Sequence, residues 1–342
     1  MNYRTFLADN HFTYLILQTK KTVSMLTYIL FVVGFYILIK GADLLVDGSS
    51  SIAKRFNISN IVIGLTIVAF GTSAPEFIVN IFASAKGNTE IAIGNILGSN
   101  IANILLILGI ASIIYPISAK KNTVLKEIPF SLLAALLVTI TANDILIDGN
   151  PISVITRIDG LVFLGFFIIF LYYTFSITKS DEDINETPVK ELSYFKAIAY
   201  ILLGFTGLVL GGNWIVEGAV KIAESFNISQ SLIGLTIVAV GTSLPELATS
   251  AVAAYKKQTD IAIGNVVGSN IFNVFWILGV SSIIRPLPVN TDSNVDVLVN
   301  ILASLILFFA MYVGKKHVLE RWQGVLLVLL YLGYITFLIF TR

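Results

Sequence analysis

Two glutamates, Glu76 and Glu246, each stand inside an apolar stretch in the same frame, Gly-Thr-Ser-x-Pro-Glu. Thr72 and Ser73 lie four and three residues before Glu76, on one face of a helix, and Thr242 and Ser243 stand likewise before Glu246. A second frame, Gly-Asn-x-x-Gly-Ser-Asn-Ile-x-Asn, places Ser99 four residues before Asn103 and Ser269 four before Asn273. A carboxylate at membrane depth costs several kcal/mol, so it must face a cavity, a partner or an ion. Two carboxylates brought together repel unless a proton or a cation lies between them. Carboxylate, hydroxyl and amide oxygens make a hard ligand set suited to calcium or sodium. Softer metals fit less well, because cysteine is absent and both histidines, His11 and His317, lie outside the apolar stretches. Pro75 and Pro245 lack an N–H, which leaves the carbonyls of Gly71 and Gly241 without their helical donor and opens the turn. Irregular backbone at that depth is tolerated only where it is buried or lines a cavity.

The elements that must position these groups come from a duplication. Residues 56–104 return as 226–274, with roughly 30 of about 50 positions identical, a repeat long enough to govern the architecture. The composition is 56% hydrophobic and 13% charged, and apolar runs repeatedly reach the length needed to cross a hydrocarbon core of about 30 Å. Hydropathy places ten spans near 26–48, 60–83, 90–115, 128–144, 158–177, 194–216, 230–253, 260–285, 293–314 and 322–340. The expected fold is therefore all-α, a polytopic membrane protein. Residues 1–25 form an N-terminal tail, 26–177 the first repeat, 178–193 a polar cytoplasmic linker and 194–342 the second repeat. Gly94 with Gly98, and Gly264 with Gly268, should let a neighbouring helix approach closely.

Connections after the odd spans are basic, with Lys54 and Arg55, Lys120 and Lys121, Lys256 and Lys257, and Lys315 and Lys316 among them. Those after the even spans hold only Lys86, Arg157, Lys221 and Arg285. The positive-inside bias puts both termini outside; Lys20 and Lys21 oppose it but are outnumbered. The second copy is displaced by five spans, an odd number, so it enters the membrane from the opposite side. Ten helices in two inverted five-helix repeats are an arrangement typical of secondary transporters, whose sites lie at the repeat interface near mid-membrane.

Asp43, Asp47, Asn213 and Glu217 form another set of equivalent positions near the ends of spans 1 and 6, read as structural or entrance groups, with Lys40 snorkelling or pairing with Asp43. No nucleophile, base and orienting group converge as an enzyme would require. Basic patches for nucleic acid are absent, and nothing points to a cofactor or a protein partner. The partners implied are ions and the lipid bilayer of the cell membrane.

Gly-Thr-Ser-Ala-Pro-Glu (71–76), Gly-Thr-Ser-Leu-Pro-Glu (241–246) and the two Gly-Ser-Asn-Ile elements resemble the repeats of the cation/calcium antiporter superfamily, specifically its prokaryotic sodium/calcium exchangers. The resemblance covers nearly the whole chain. It implies sodium/calcium antiport by alternating access, with calcium extrusion driven by inward sodium, and ion sites among spans 2, 3, 7 and 8. Glu76 and Glu246 would be the central ligands, Thr72 and Thr242 would offer carbonyls to calcium, and Ser73, Ser243, Ser99 and Ser269 would serve sodium. Ala69 and Ala239 match positions whose carbonyls face sodium, while Asn103 and Asn273 complete the shell. Spans 1 and 6 would be long helices that slide across the other eight. Asn at 273, where several relatives carry Asp, argues against potassium co-transport. The proton/calcium branch of the superfamily, with a different frame at the glutamate, is the alternative, and a cation channel is the alternative from another class.

Overall fold

The computed structural model describes residues 24–176, 191–226, 239–290 and 292–341. Two helices of equal length open the two halves: α1, Met25–Phe56, and α7, Tyr194–Ser225, each of 32 residues. Ser24 caps α1 by accepting the N–H of Thr27 at 3.3 Å. Both helices outrun the spans expected from hydropathy, since 32 residues reach about 48 Å. Their polar C-terminal turns continue beyond the hydrocarbon. They pack side by side through glycines. A Cβ on Gly41 would lie 2.7 Å from the Leu208 nitrogen and 2.9 Å from the Gly204 carbonyl oxygen, so only glycine allows this approach.

The second expected span is two helices, α2 (Asn60–Thr72) and α3 (Ala74–Lys86), bent by 47° at Ser73. Pro75 sits in the first turn of α3, where its missing N–H costs least. Then follow α4 (Thr89–Ile114), α5 (Thr123–Thr141) and α6 (Arg157–Ser176). After α7 comes a helical turn, Ala239–Gly241, and then α8 (Leu244–Tyr255), α9 (Thr259–Ile284), α10 (Ser293–Ala310) and α11 (Arg321–Thr341). Among the described residues eight helices are long and apolar enough to cross a membrane, or nine with the bent pair counted. The expected seventh span, 230–253, begins outside the described residues, and α8 is its second half. Most of the expected tail and linker also lie outside them.

In α4 and α9, 78% of the apolar window is buried, against 22–44% in the other long helices, so these two form the centre. Each is interrupted by a π-helical stretch, Asn103–Leu108 and Phe272–Leu278, which hydropathy does not foresee. The approach expected at Gly264 and Gly268 is present: a Cβ on Gly264 would lie 3.0 Å from the Gly64 Cα. Gly94 and Gly98 meet nothing among the described residues.

The halves interlock. Helix α6 of the first half packs on α9 of the second, with Gly160 against the Gly279 carbonyl, and α11 packs on α4, with Gly324 against that of Gly109. Among the described residues four short strands add two antiparallel ribbons that the sequence did not announce: β1 (Ile117–Ser118), β2 (Ser153–Ile155), β3 (Leu287–Val289) and β4 (Val318–Leu319). Ile117 of β1 faces Leu319 of β4, and Ile155 of β2 faces Leu287 of β3, so each ribbon also joins one half to the other.

Candidate cation site

The bend at Ser73 ends α2 and starts α3, and the equivalent break at Ser243 starts α8, so both glutamates lie in the first turn of a broken helix. Glu76 and Glu246 are both buried, and a serine from each broken segment reaches the other's carboxylate. Because the helix breaks, Ser73 does not serve the glutamate of its own segment. Its Oγ donates to Glu246 Oε1 at 3.0 Å, and Ser243 Oγ lies 3.3 Å from Glu76 Oε1. The single helix face expected for Thr72, Ser73 and Glu76 is thus divided, and each hydroxyl crosses to the opposite repeat. Ser99 Oγ reaches Glu76 Oε1 at 3.4 Å and Ser243 Oγ at 3.1 Å. Ser243 has one proton to donate, so it satisfies either Glu76 or Ser99.

Asn103 and Asn273 join the site through amides that the sequence reading passed over. Asn103 Nδ2 donates to Asn270 Oδ1, and Asn273 Nδ2 to Asn100 Oδ1, both at 2.9 Å. Asn100 and Asn270 also donate to each other's carbonyls, at 3.4 and 3.3 Å. This four-amide cluster engages the amide nitrogens and leaves the side-chain oxygens of Asn103 and Asn273 without a hydrogen-bond partner. Thr72 Oγ1 donates to Asn265 Oδ1 at 2.9 Å, while Thr242 Oγ1 lies 3.4 Å from Asn95 Oδ1. Asn265 Nδ2 reaches the Glu246 carbonyl at 3.3 Å and Ser250 at 2.9 Å. Asn95 Nδ2 likewise reaches the Glu76 carbonyl at 3.5 Å and Asn80 at 2.7 Å. Asn95, Asn100, Asn265 and Asn270 all stand in the duplicated motifs, and their identity in both copies was the available signal.

The Ala69 carbonyl accepts from the Ser73 N–H at 3.0 Å and from Thr72 Oγ1 at 3.3 Å. Ala239 lies in the helical turn before the second break. Five oxygens around the site are buried without a hydrogen-bond partner: Glu76 Oε2, Glu246 Oε2, Asn103 Oδ1, Asn273 Oδ1 and Ser269 Oγ. Leaving a buried acceptor unsatisfied costs about 1–3 kcal/mol, more for a charged one. All five lie on α3, α4, α8 and α9, and a cation among them would remove that cost. No group of three or more acidic, histidine or cysteine side chains occurs among the described residues, so charge at the site comes from two carboxylates alone.

Asn265→Ala would remove the nearer acceptor of Thr72 Oγ1 and the amide donor shared by the Glu246 carbonyl and Ser250. We expect a loss of about 1–3 kcal/mol in stability, read as a lower thermal unfolding midpoint in detergent, with weaker stabilisation by added calcium.

The sequence matches the sodium/calcium exchanger protein family over residues 26–176 and 196–340. It is 39% identical over 320 residues to the putative antiporter CaxA of Alkalimonas amylolytica, covering 91% of this chain and 98% of that protein. It is 31% identical over 345 residues to the sodium/calcium exchanger MaX1 of Methanosarcina acetivorans, covering 92% and 98%. The fold superposes on a solved structure of the sodium-calcium exchanger NCX_Mj with a TM-score of 0.79 and 36% identity, covering 92% of this chain and 99% of that one.

Proposed function

Because the chain belongs to the sodium/calcium exchanger family, we propose that Glu76 and Glu246 are the shared centre of its ion sites. The protein is a multi-pass membrane antiporter that exchanges sodium for calcium. The hydroxyls of Ser73, Ser99, Ser243 and Ser269, the amide oxygens of Asn103 and Asn273, and the carbonyls at Ala69, Thr72, Ala239 and Thr242 complete the shells. The observation that carries this assignment is the set of buried oxygens without a hydrogen-bond partner that includes one from each glutamate and three more on α4 and α9.

Occupation by one ion excludes the other. The carboxylates balance one calcium ion, or sodium ions in its place, and without either they repel across a buried gap. Switching the site from one membrane face to the other is therefore favoured only when it is loaded, which is the condition for obligatory exchange. The basic connections support an orientation with both termini outside the cell, in which sodium moving inward drives calcium out.

If three sodium ions replace one calcium, one positive charge moves per cycle. The membrane potential then contributes about 2.3 kcal/mol per 100 mV. In sodium-loaded proteoliposomes, an inside-positive potential of about 100 mV should raise the calcium accumulation ratio roughly fifty-fold. The deciding measurement is calcium uptake with external sodium, potassium, pH and potential varied separately. Uptake should follow the sodium gradient. Uptake driven equally by a pH gradient without sodium, or with no counter-ion at all, would overturn the reading.

A further inference from the structure

Lys256 and Lys86 occupy equivalent positions in the two repeats, at the ends of α8 and α3. The backbone beyond each turns left-handed, at Lys257 with φ 60° and at Gly87 with φ 85°. The polar positions opposite them are equivalent too: Asp43 and Asp47 on α1 match Asn213 and Glu217 on α7. Yet the two sides differ. Lys256 Nζ lies 2.6 Å from Asp43 Oδ1 and 2.5 Å from Asp47 Oδ1, and it also donates to the Asp43 carbonyl at 3.1 Å. Lys40, expected to pair with Asp43, is more distant at 3.8 Å. Around that clamp α8 packs along α1. On the other side Lys86 and Glu217 are exposed. Among the described residues no ion pair joins them, and α3 makes no comparable contact with α7.

Inverted repeats alternate access when their halves exchange conformations around a fixed site. We propose that Lys256 and Lys86 are alternating positioning residues: the Lys256 pair with Asp43 and Asp47 holds the present conformation, and the opposite conformation breaks it and forms Lys86 with Glu217. The inference rests on antiport by two inverted halves. It does not depend on which oxygens hold the ions. The clamp is partly shielded, with side-chain exposures of 23, 35 and 22% for Lys256, Asp43 and Asp47, so it is screened less than a surface pair. Asn213 replaces the second acid on α7. The Lys86 side therefore offers one charge where the Lys256 side offers two, and the present conformation is the favoured one at rest.

The chain has no cysteine, so introduced cysteines take spin labels only where they are placed. In the full chain in lipid, labels at Phe56→Cys with Tyr255→Cys report the α1–α8 side, and Ala85→Cys with Phe226→Cys report the α3–α7 side. Lys256→Gln should shift the population away from the short α1–α8 distance roughly fivefold and towards a short α3–α7 distance. Lys86→Gln should shift it the other way. Lys256→Arg should retain the wild-type distribution, and Asp47→Lys combined with Lys256→Asp should restore it. Distributions that stay fixed, or move in the same direction for both lysine variants, would overturn the proposal. A wrong assignment of Glu76 and Glu246 would instead appear as calcium binding that survives their neutralisation, with the distance shifts intact.

Discussion

Glu76→Gln should lower calcium-dependent sodium flux in proteoliposomes by at least about 100-fold, and Glu246→Gln should do the same. Removing one member of a buried charge arrangement costs about 3–5 kcal/mol where the remaining charge stays uncompensated, and a calcium ion held by one carboxylate is such a case. The ion-free protein should respond with the opposite sign. Neutralising one carboxylate relieves the repulsion between two buried acids and replaces an unpartnered Oε2 with an amide donor. The thermal midpoint in ion-free detergent should hold or rise, while the increment produced by saturating calcium disappears. Loss of flux through misfolding would lower both. Near-normal flux with intact calcium stabilisation would remove Glu76 from the site.

Gly41→Leu should be strongly disruptive although it lies outside the site. The atoms that its Cβ would meet at 2.7–2.9 Å belong to the backbone of α7, at Leu208, Gly204 and Gly207, and backbone inside a helix cannot rotate away as a side chain can. The two 32-residue helices would have to separate, at a cost of about 1–3 kcal/mol or more for overpacking. Gly165→Leu is the matched control, because nothing among the described residues lies within 4 Å of its Cβ position. A drop of several degrees in the unfolding midpoint for Gly41→Leu, with little change for Gly165→Leu, is expected. Equal effects would show that lost helix flexibility matters and that the α1–α7 seam does not.

What could be read from the chain was mostly what the duplication repeats. Glu76 and Glu246, the prolines before them and the seryl and asparaginyl positions stood out because the same polar pattern occurs twice in apolar surroundings. The crossing of Ser73 to Glu246 and of Ser243 to Glu76 was not legible. Helix periodicity assigns a hydroxyl to its own helix face, and only the break at Ser73 together with the opposed halves sends it across. Asn95 and Asn265 were seen as motif letters, but a neutral amide in a span carries no cost large enough to demand a role from sequence alone. The true lengths of α1 and α7 were hidden because hydropathy marks the hydrocarbon and says nothing of where the helix stops. The π-helical stretches that begin at Asn103 and Phe272 have no composition signature, since they arise where packing shifts the hydrogen-bond register.

The exchange of last helices between the halves bears on how the molecule is made. Residues that follow α4 form β1, but its partner β4 and the covering helix α11 are made only after the intervening helices of the second half. Contacts so distant in sequence close late, after the entropy of a long intervening loop has been lost. The first five-helix unit must therefore wait in the bilayer with the Gly109 face of α4 bare, and neither half can finish its packing as a separate fragment. The two buried acids, one from each half, therefore share a site only after both halves have been made.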